Sequence, residues 1–101
     1  MSQRHSVTTV ASIPPGTGKA FTIAGRRIGF FNVAGKIHAI DDTCPHAGAP
    51  LSEGRLTGCV VTCPWHAIEF DVTNGRVPGQ PEESQSVYPI FINGDQIEVE
   101  V

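Results

Sequence analysis

The sequence predicts an all-β domain, and three observations predict it. Apolar and β-branched residues come in short runs, several alternating with polar ones, as half-buried strands do. Turn residues separate these runs at intervals of about ten residues, the spacing of successive hairpins. Glycine and proline, at 11 and 8 of 101 residues, are abundant, which favours many turns and short strands over long helices. There is no repeat, no linker and no helical period; the one helical turn expected lies near Ser52.

The elements follow in order. Residues 5–13 contain Val7, Thr8, Thr9, Val10 and Ile13 and suit a strand. The Pro14-Pro15-Gly16 stretch opens a loop. Residues 19–24 alternate polar and apolar and form the next strand, ended by a turn at Gly25-Arg26. Residues 28–33 are a third strand, in which Gly29 marks a bulge or a close approach. Ala34-Gly35 turns the chain into residues 36–41, with Ile37 and Ala39 on one face. Residues 58–62 form a short buried strand, and residues 67–72 alternate again before an Asn74-Gly75 hairpin turn. After Arg76-Val77, residues 78–86 read as a polar loop. Residues 87–92, the turn Asn93-Gly94 and residues 96–101 close the chain as a hairpin, with Pro89 confining its strand to an edge or bulge.

At 101 residues the chain is expected to be one domain, spanning 1–101. Its 40% apolar and 17% charged content is that of a globular protein. A net charge of −3 argues against a nucleic-acid partner, which would want a basic stripe. No run approaches the roughly 18 apolar residues of a membrane span, and residues 1–10 lack the apolar core of a secretory signal. Three cysteines is an odd count. It points away from a disulfide framework and toward metal ligation in a reducing, cytoplasmic setting. The acidic balance leans toward a monomer.

The chemistry is concentrated in Cys44-Pro45-His46 and Cys63-Pro64-Trp65-His66, with 16 residues between His46 and Cys63. Two thiolates and two imidazoles on two loops form a metal site. Proline after each cysteine stiffens the loop by fixing φ and removing a donor. Gly48 and Gly54 allow tight backbone paths between the motifs. Tetrahedral zinc is one occupant, although zinc sites usually group Cys with Cys and His with His. Two ordinary buried thiols with two surface histidines are the plainest alternative.

The order Cys-x-His-x16-Cys-x-x-His, with the surrounding CPHAGAPLSEG and CPWHAIEFDVTNGRV, resembles the Rieske-type [2Fe-2S] ferredoxins of aromatic-ring dioxygenase systems. The resemblance implies a Rieske-like fold of stacked antiparallel sheets with a small cluster-binding subdomain, its loops at about 43–50 and 63–68. It implies that Cys44 and Cys63 ligate one iron, His46 and His66 the other, and that a segment around Gly79-Gln80-Pro81 covers the cluster. Loops of this kind aim backbone N–H groups at the sulfides, which tunes the potential. High-potential relatives carry a loop-clamping disulfide where this chain has Ala49 and Trp65. They carry hydroxyl donors where it has Ile68 and Phe70. The resemblance therefore implies a potential at the low end of the Rieske range, about −150 mV.

The implied function is single-electron transport from a flavoprotein reductase to a terminal oxygenase, with His46 and His66 as the electron exit. The chain would not itself be an enzyme: an oxygenase needs a further non-haem iron site, and only His5 and His38 remain after the cluster takes its ligands. The small subunit of an assimilatory nitrite reductase and a zinc-stabilised interaction module are the other readings. Among the remaining residues, Cys59 is expected as a buried strand residue and His38 as a half-exposed one, and His5 is assigned nothing. Trp65 is expected to shield the cluster from water. Asp41, Asp42, Glu82 and Glu83 are expected as solvated loop charges.

Overall fold

The computed structural model describes residues 3–44, 48–65 and 68–101. In chain order the strands are β1 (Arg4–Thr9), β2 (Gly18–Ile23), β3 (Arg26–Val33), β4 (Lys36–Asp41), β5 (Arg55–Thr57) and β6 (Val60–Thr62), then β7 (Glu69–Asp71), β8 (Arg76–Val77), β9 (Gln80–Ser84), β10 (Val87–Tyr88), β11 (Ile90–Asn93) and β12 (Gln96–Glu100). Helical structure among the described residues is limited to two 3-10 turns, Val10–Ser12 and Leu51–Glu53. The second is the turn expected near Ser52.

All strand pairs are antiparallel. The widest sheet runs β10-β4-β3-β2; a second runs β1-β12-β11; a third, small sheet runs β5-β6-β7; β8 and β9 form a ribbon. The tight turns of the wide sheet follow from backbone sign. Ala34 and Gly35 have φ of 53° and 97°, and Ala24 and Gly25 have 51° and 79°. Positive φ at both central residues is the hairpin turn whose twist matches the strands. The first of these turns therefore falls at Ala24-Gly25, one residue before the expected position.

Strand β3 is the centre of the molecule. It is buried from Ile28 through Asn32, so both of its faces are covered. Ile28 and Phe30 join Ile37, Ala39, Ile97 and Val99 in one core, against the β1-β12-β11 sheet. Phe31 on the opposite face joins Ile40 and a second core with Leu51, Val61, Phe70, Cys44 and Cys63. The alternation of a strand thus splits neighbouring phenylalanines between two layers. Each fully buried phenylalanine contributes roughly 1.5–3 kcal/mol through its area removed from water. The two cysteines sit on the side of the wide sheet that faces the small sheet.

Several expectations shift. The run 5–13 is a strand only to Thr9. Ser12 Oγ then donates to the Thr9 carbonyl (2.8 Å), closing a turn that drops Ile13 into the core at 1% exposure. Gly29 marks a close approach and not a bulge: the β3–β4 register is continuous, and a Cβ there would come within 2.8 Å of the Asp42 carboxylate. The stretch 78–86 is not all loop, because β9 pairs with β8. Asn74-Gly75 does not close a hairpin: β7 pairs with β6 and β8 with β9, so the turn passes the chain from one sheet to another. Pro89 does likewise. It separates β10, paired with β4, from β11, paired with β12. A residue with no N–H to donate is tolerated where the ladder changes partner. The final turn lies at Gly94-Asp95, because Asn93 already pairs with Gln96.

Candidate metal centre

Each cysteine opens a loop that is closed in the same way. The Cys44 N–H donates to the Ala49 carbonyl (2.9 Å), and the Cys63 N–H donates to the Ile68 carbonyl (2.9 Å). The spacing from donor to acceptor residue is therefore identical in the two loops. In the first loop Gly48, at φ +72°, returns its N–H to the Cys44 carbonyl (2.8 Å). That φ is strained for a side chain and free for glycine. The first loop is sealed at its base by a bridge between Thr43 and Pro50. Gly54 lies against the Thr62 carbonyl, where an added Cβ would collide. Its missing side chain lets the exit of the first loop touch the strand that delivers Cys63.

Both thiols are buried, Cys44 at 1% and Cys63 at 3% exposure. Neither is in a disulfide, and both belong to the same core. Two free thiols on two equally closed loops, walled by Phe31, Leu51, Val61 and Phe70, fit the thiolate half of a metal centre. His46 and His66 lie outside the described residues. Among the described residues no group of three or more metal-ligating side chains forms.

Asp42, expected as a solvated loop charge, is fully buried and holds the first loop at both ends. One carboxylate oxygen accepts from the Ser52 N–H (2.7 Å) and the other from Arg27 Nε (3.1 Å). Its carbonyl accepts from the Leu51 N–H (2.7 Å), and its own N–H reaches the Arg27 carbonyl (3.0 Å). A charge with that many partners can be buried where a bare one cannot. Gly29 makes the space beside it. No local signal in the sequence marks this role: Asp42 follows β4, and it meets Arg27 only because β3 and β4 pair through Ile28 and Asp41. Asp41, half-buried, accepts the Thr43 N–H (3.2 Å) on its carboxylate.

Trp65, expected to shield the centre, is 66% exposed. It projects one residue before His66. Ala49 and Phe70 are fully buried, and Ile68 is half-buried against the same core. None carries a hydroxyl.

Cys59 is a half-buried turn residue between β5 and β6, not a buried strand residue. The Asp71 carboxyl stands within its reach. Burial pushes that carboxyl upward, but hydrogen bonds from the Thr73 hydroxyl and N–H, then the Cys59 thiol, then the charge of His38 outweigh it and hold it below the usual value. His38 is half-buried, as expected. Burial first, then the Lys36 charge, lowers its pKa against the pull of Asp71.

A family model for the Rieske [2Fe-2S] domain matches residues 3–93. The chain belongs to the Rieske [2Fe-2S] family. The cofactor of that family is the [2Fe-2S] cluster held by two cysteines and two histidines. The naphthalene 1,2-dioxygenase ferredoxin component of Pseudomonas aeruginosa is 33% identical over 90 residues, 88% of this chain and 86% of that one. The biphenyl dioxygenase ferredoxin subunit of Pseudomonas sp. (strain KKS102) is 37% identical over 94 residues, 91% of this chain and 86% of that one. A solved complex of reduced oxygenase and oxidized ferredoxin in carbazole 1,9a-dioxygenase contains a chain 28% identical to this Rieske domain. That chain superposes with a TM-score of 0.87 over 95% of this chain and 91% of its own.

Proposed function

We propose that this protein is a low-potential Rieske ferredoxin carrying single electrons from a flavoprotein reductase to the terminal oxygenase of an aromatic-ring dioxygenase system. The observation that carries the reading is the pair of buried, unlinked cysteines on two equally closed loops. The ferredoxin-component names of its relatives support the role. Cys44 and Cys63 would hold one iron, and His46 and His66 the other, in one domain over residues 1–101 with cluster-binding loops at about 43–50 and 63–68. When bound, the cluster supplies a one-electron redox couple. Phe31, Leu51, Val61 and Phe70 keep water from the cysteine side. Ile68 and Phe70 donate no hydrogen bond toward it, which favours a potential of about −150 mV.

The exit for the electron is the histidine side. Trp65, one residue before His66 in the sequence, offers an exposed apolar surface of the kind that anchors contacts. Redox encounters of this sort bury less than about 1,200 Å² and break readily. The partners are a flavoprotein reductase and a terminal oxygenase. The odd cysteine count supports a reducing, cytoplasmic setting, and the acidic balance favours a monomer. Among the described residues no helix is long and apolar enough to cross a membrane. A nitrite reductase small subunit has less support: a solved one shares the fold at 23% identity and a TM-score of 0.90, whereas relatives at 33% and 37% identity are named ferredoxin components of dioxygenase systems. Reconstitution tests the proposal. The iron-loaded protein should accept electrons from a ferredoxin reductase and sustain turnover by an aromatic-ring oxygenase. Turnover that is independent of it would refute the role.

A further inference from the structure

Gln85 lies outside both cysteine motifs, between β9 and β10. Its carboxamide nitrogen donates to the Asp41 carbonyl (3.0 Å) and to the Thr43 carbonyl (2.5 Å). Those carbonyls flank Asp42, and Thr43 directly precedes Cys44. The backbone of Gln85 is fixed from the other side. Its N–H reaches the Gly75 carbonyl (2.6 Å), and the neighbouring Ser86 carbonyl accepts the Asp41 N–H (2.9 Å). Gly75 is buried at φ +76°, and a Cβ there would run into the Gln85 carbonyl. The close approach of the two segments therefore requires glycine at 75.

The chemistry at this point is selective. One NH2 group offers two hydrogens to two carbonyls, so both of its donors are used. A carboxylate of the same size would instead face two acceptors. Asp42 ties the first loop to β3, whereas Gln85 ties the chain entering that loop to the turn at Gly75.

We infer that Gln85 is a positioning residue for the metal centre: its carboxamide braces the segment that delivers Cys44. The inference rests on the reading of Cys44 as an iron ligand. Without the brace, the Asp41 and Thr43 carbonyls turn to water, the segment entering Cys44 gains freedom, and iron departs more readily.

The test compares wild type, Gln85→Glu, Gln85→Leu and Gln85→Lys as iron-loaded proteins. The readouts are iron release to a strong chelator, the EPR line shape of the reduced state, and melting by circular dichroism. Losing two hydrogen bonds at a local opening should speed release by about tenfold or more in the Glu and Leu variants. Their EPR lines should broaden, and the same loss should lower the melting temperature by no more than about 10 °C. Lys returns a donor to the two carbonyls and should restore release close to the wild-type rate. Wild-type rates in both Glu and Leu, or a Lys variant as fast as Leu, would overturn the inference. So would faster release that comes only with a parallel fall in melting temperature and an unchanged EPR signal. A wild-type protein that binds no iron, or a Cys44→Ser variant that binds it normally, would instead refute the ligand reading beneath it.

Discussion

Replacing Asp42 with alanine should destabilise the iron-loaded protein more than any single surface substitution. The carboxylate is fully buried, and Ser52 donates to it at 2.7 Å. Removing the acceptor strands that N–H at a cost of about 1–3 kcal/mol. The Arg27 side of the pair matters less in this variant. Its side chain is 52% exposed, so water replaces the lost partner and that side adds at most about 1 kcal/mol. A net loss near 2–3 kcal/mol lowers the melting temperature by roughly 10–20 °C for a domain of this size. Arg27→Ala alone strands the buried carboxylate and is costly for the opposite reason. The double variant should therefore melt close to Asp42→Ala, because the arginine acts through the aspartate. Calorimetry on the four proteins reads this directly. A melting temperature for Asp42→Ala within about 3 °C of wild type, well under 1 kcal/mol, would refute the role assigned to the carboxylate. Strictly additive single effects would refute its coupling to Arg27.

Other predictions concern potential, pH and docking. Phe70→Tyr places a hydroxyl in the core that holds both cysteines; one donor bond of about 1 kcal/mol corresponds to roughly 40 mV upward, readable by protein-film voltammetry. Ile68→Ser should move the potential in the same direction. The lowered pKa of His38 means the unfolded chain takes a proton more readily than the folded one. Stability should therefore fall as pH drops through about 6.5, and His38→Gln should flatten that slope in melting curves recorded from pH 7 downward. Asp71, held below its usual value, adds a second loss once the pH falls below about 4. Trp65→Ala should weaken association with an oxygenase by about thirtyfold, the scale of a 2 kcal/mol anchor, while leaving the EPR signal unchanged.

The hairpins of the wide sheet were legible because each carries its own local instructions. Gly35 adopts positive φ freely and so marks its turn, and the alternation of Ile37 and Ala39 names the buried face; Gly25 marks the earlier turn to within one residue. The cysteine motifs were legible because ligand order and spacing are local too. What sequence reasoning missed depends on long-range partners. Asp42 looks like a loop charge until Arg27, 15 positions away, and the Ser52 N–H are brought to it. Strand β9 looks like a polar loop because its ladder with β8 does not depend on apolar alternation. Pro89 signals an interrupted strand, but the change of sheet is set by β4 and β12, which the local sequence does not mention. Trp65 is expected to shield the cluster, and its 66% exposure is set by the loop that presents it, not by its own residue type.

In the proposed carrier, Cys44, His46, Cys63 and His66 would hold a Rieske cluster of low potential. EPR of the purified, reduced protein with iron and sulfide quantified tests it most directly. The purified protein should be red-brown and carry about two irons and two sulfides per chain. Its average g should be that of a cluster with histidine on one iron, and the signal should be lost in Cys44→Ser. A colourless, zinc-loaded protein, or a signal characteristic of four cysteine ligands, would contradict it.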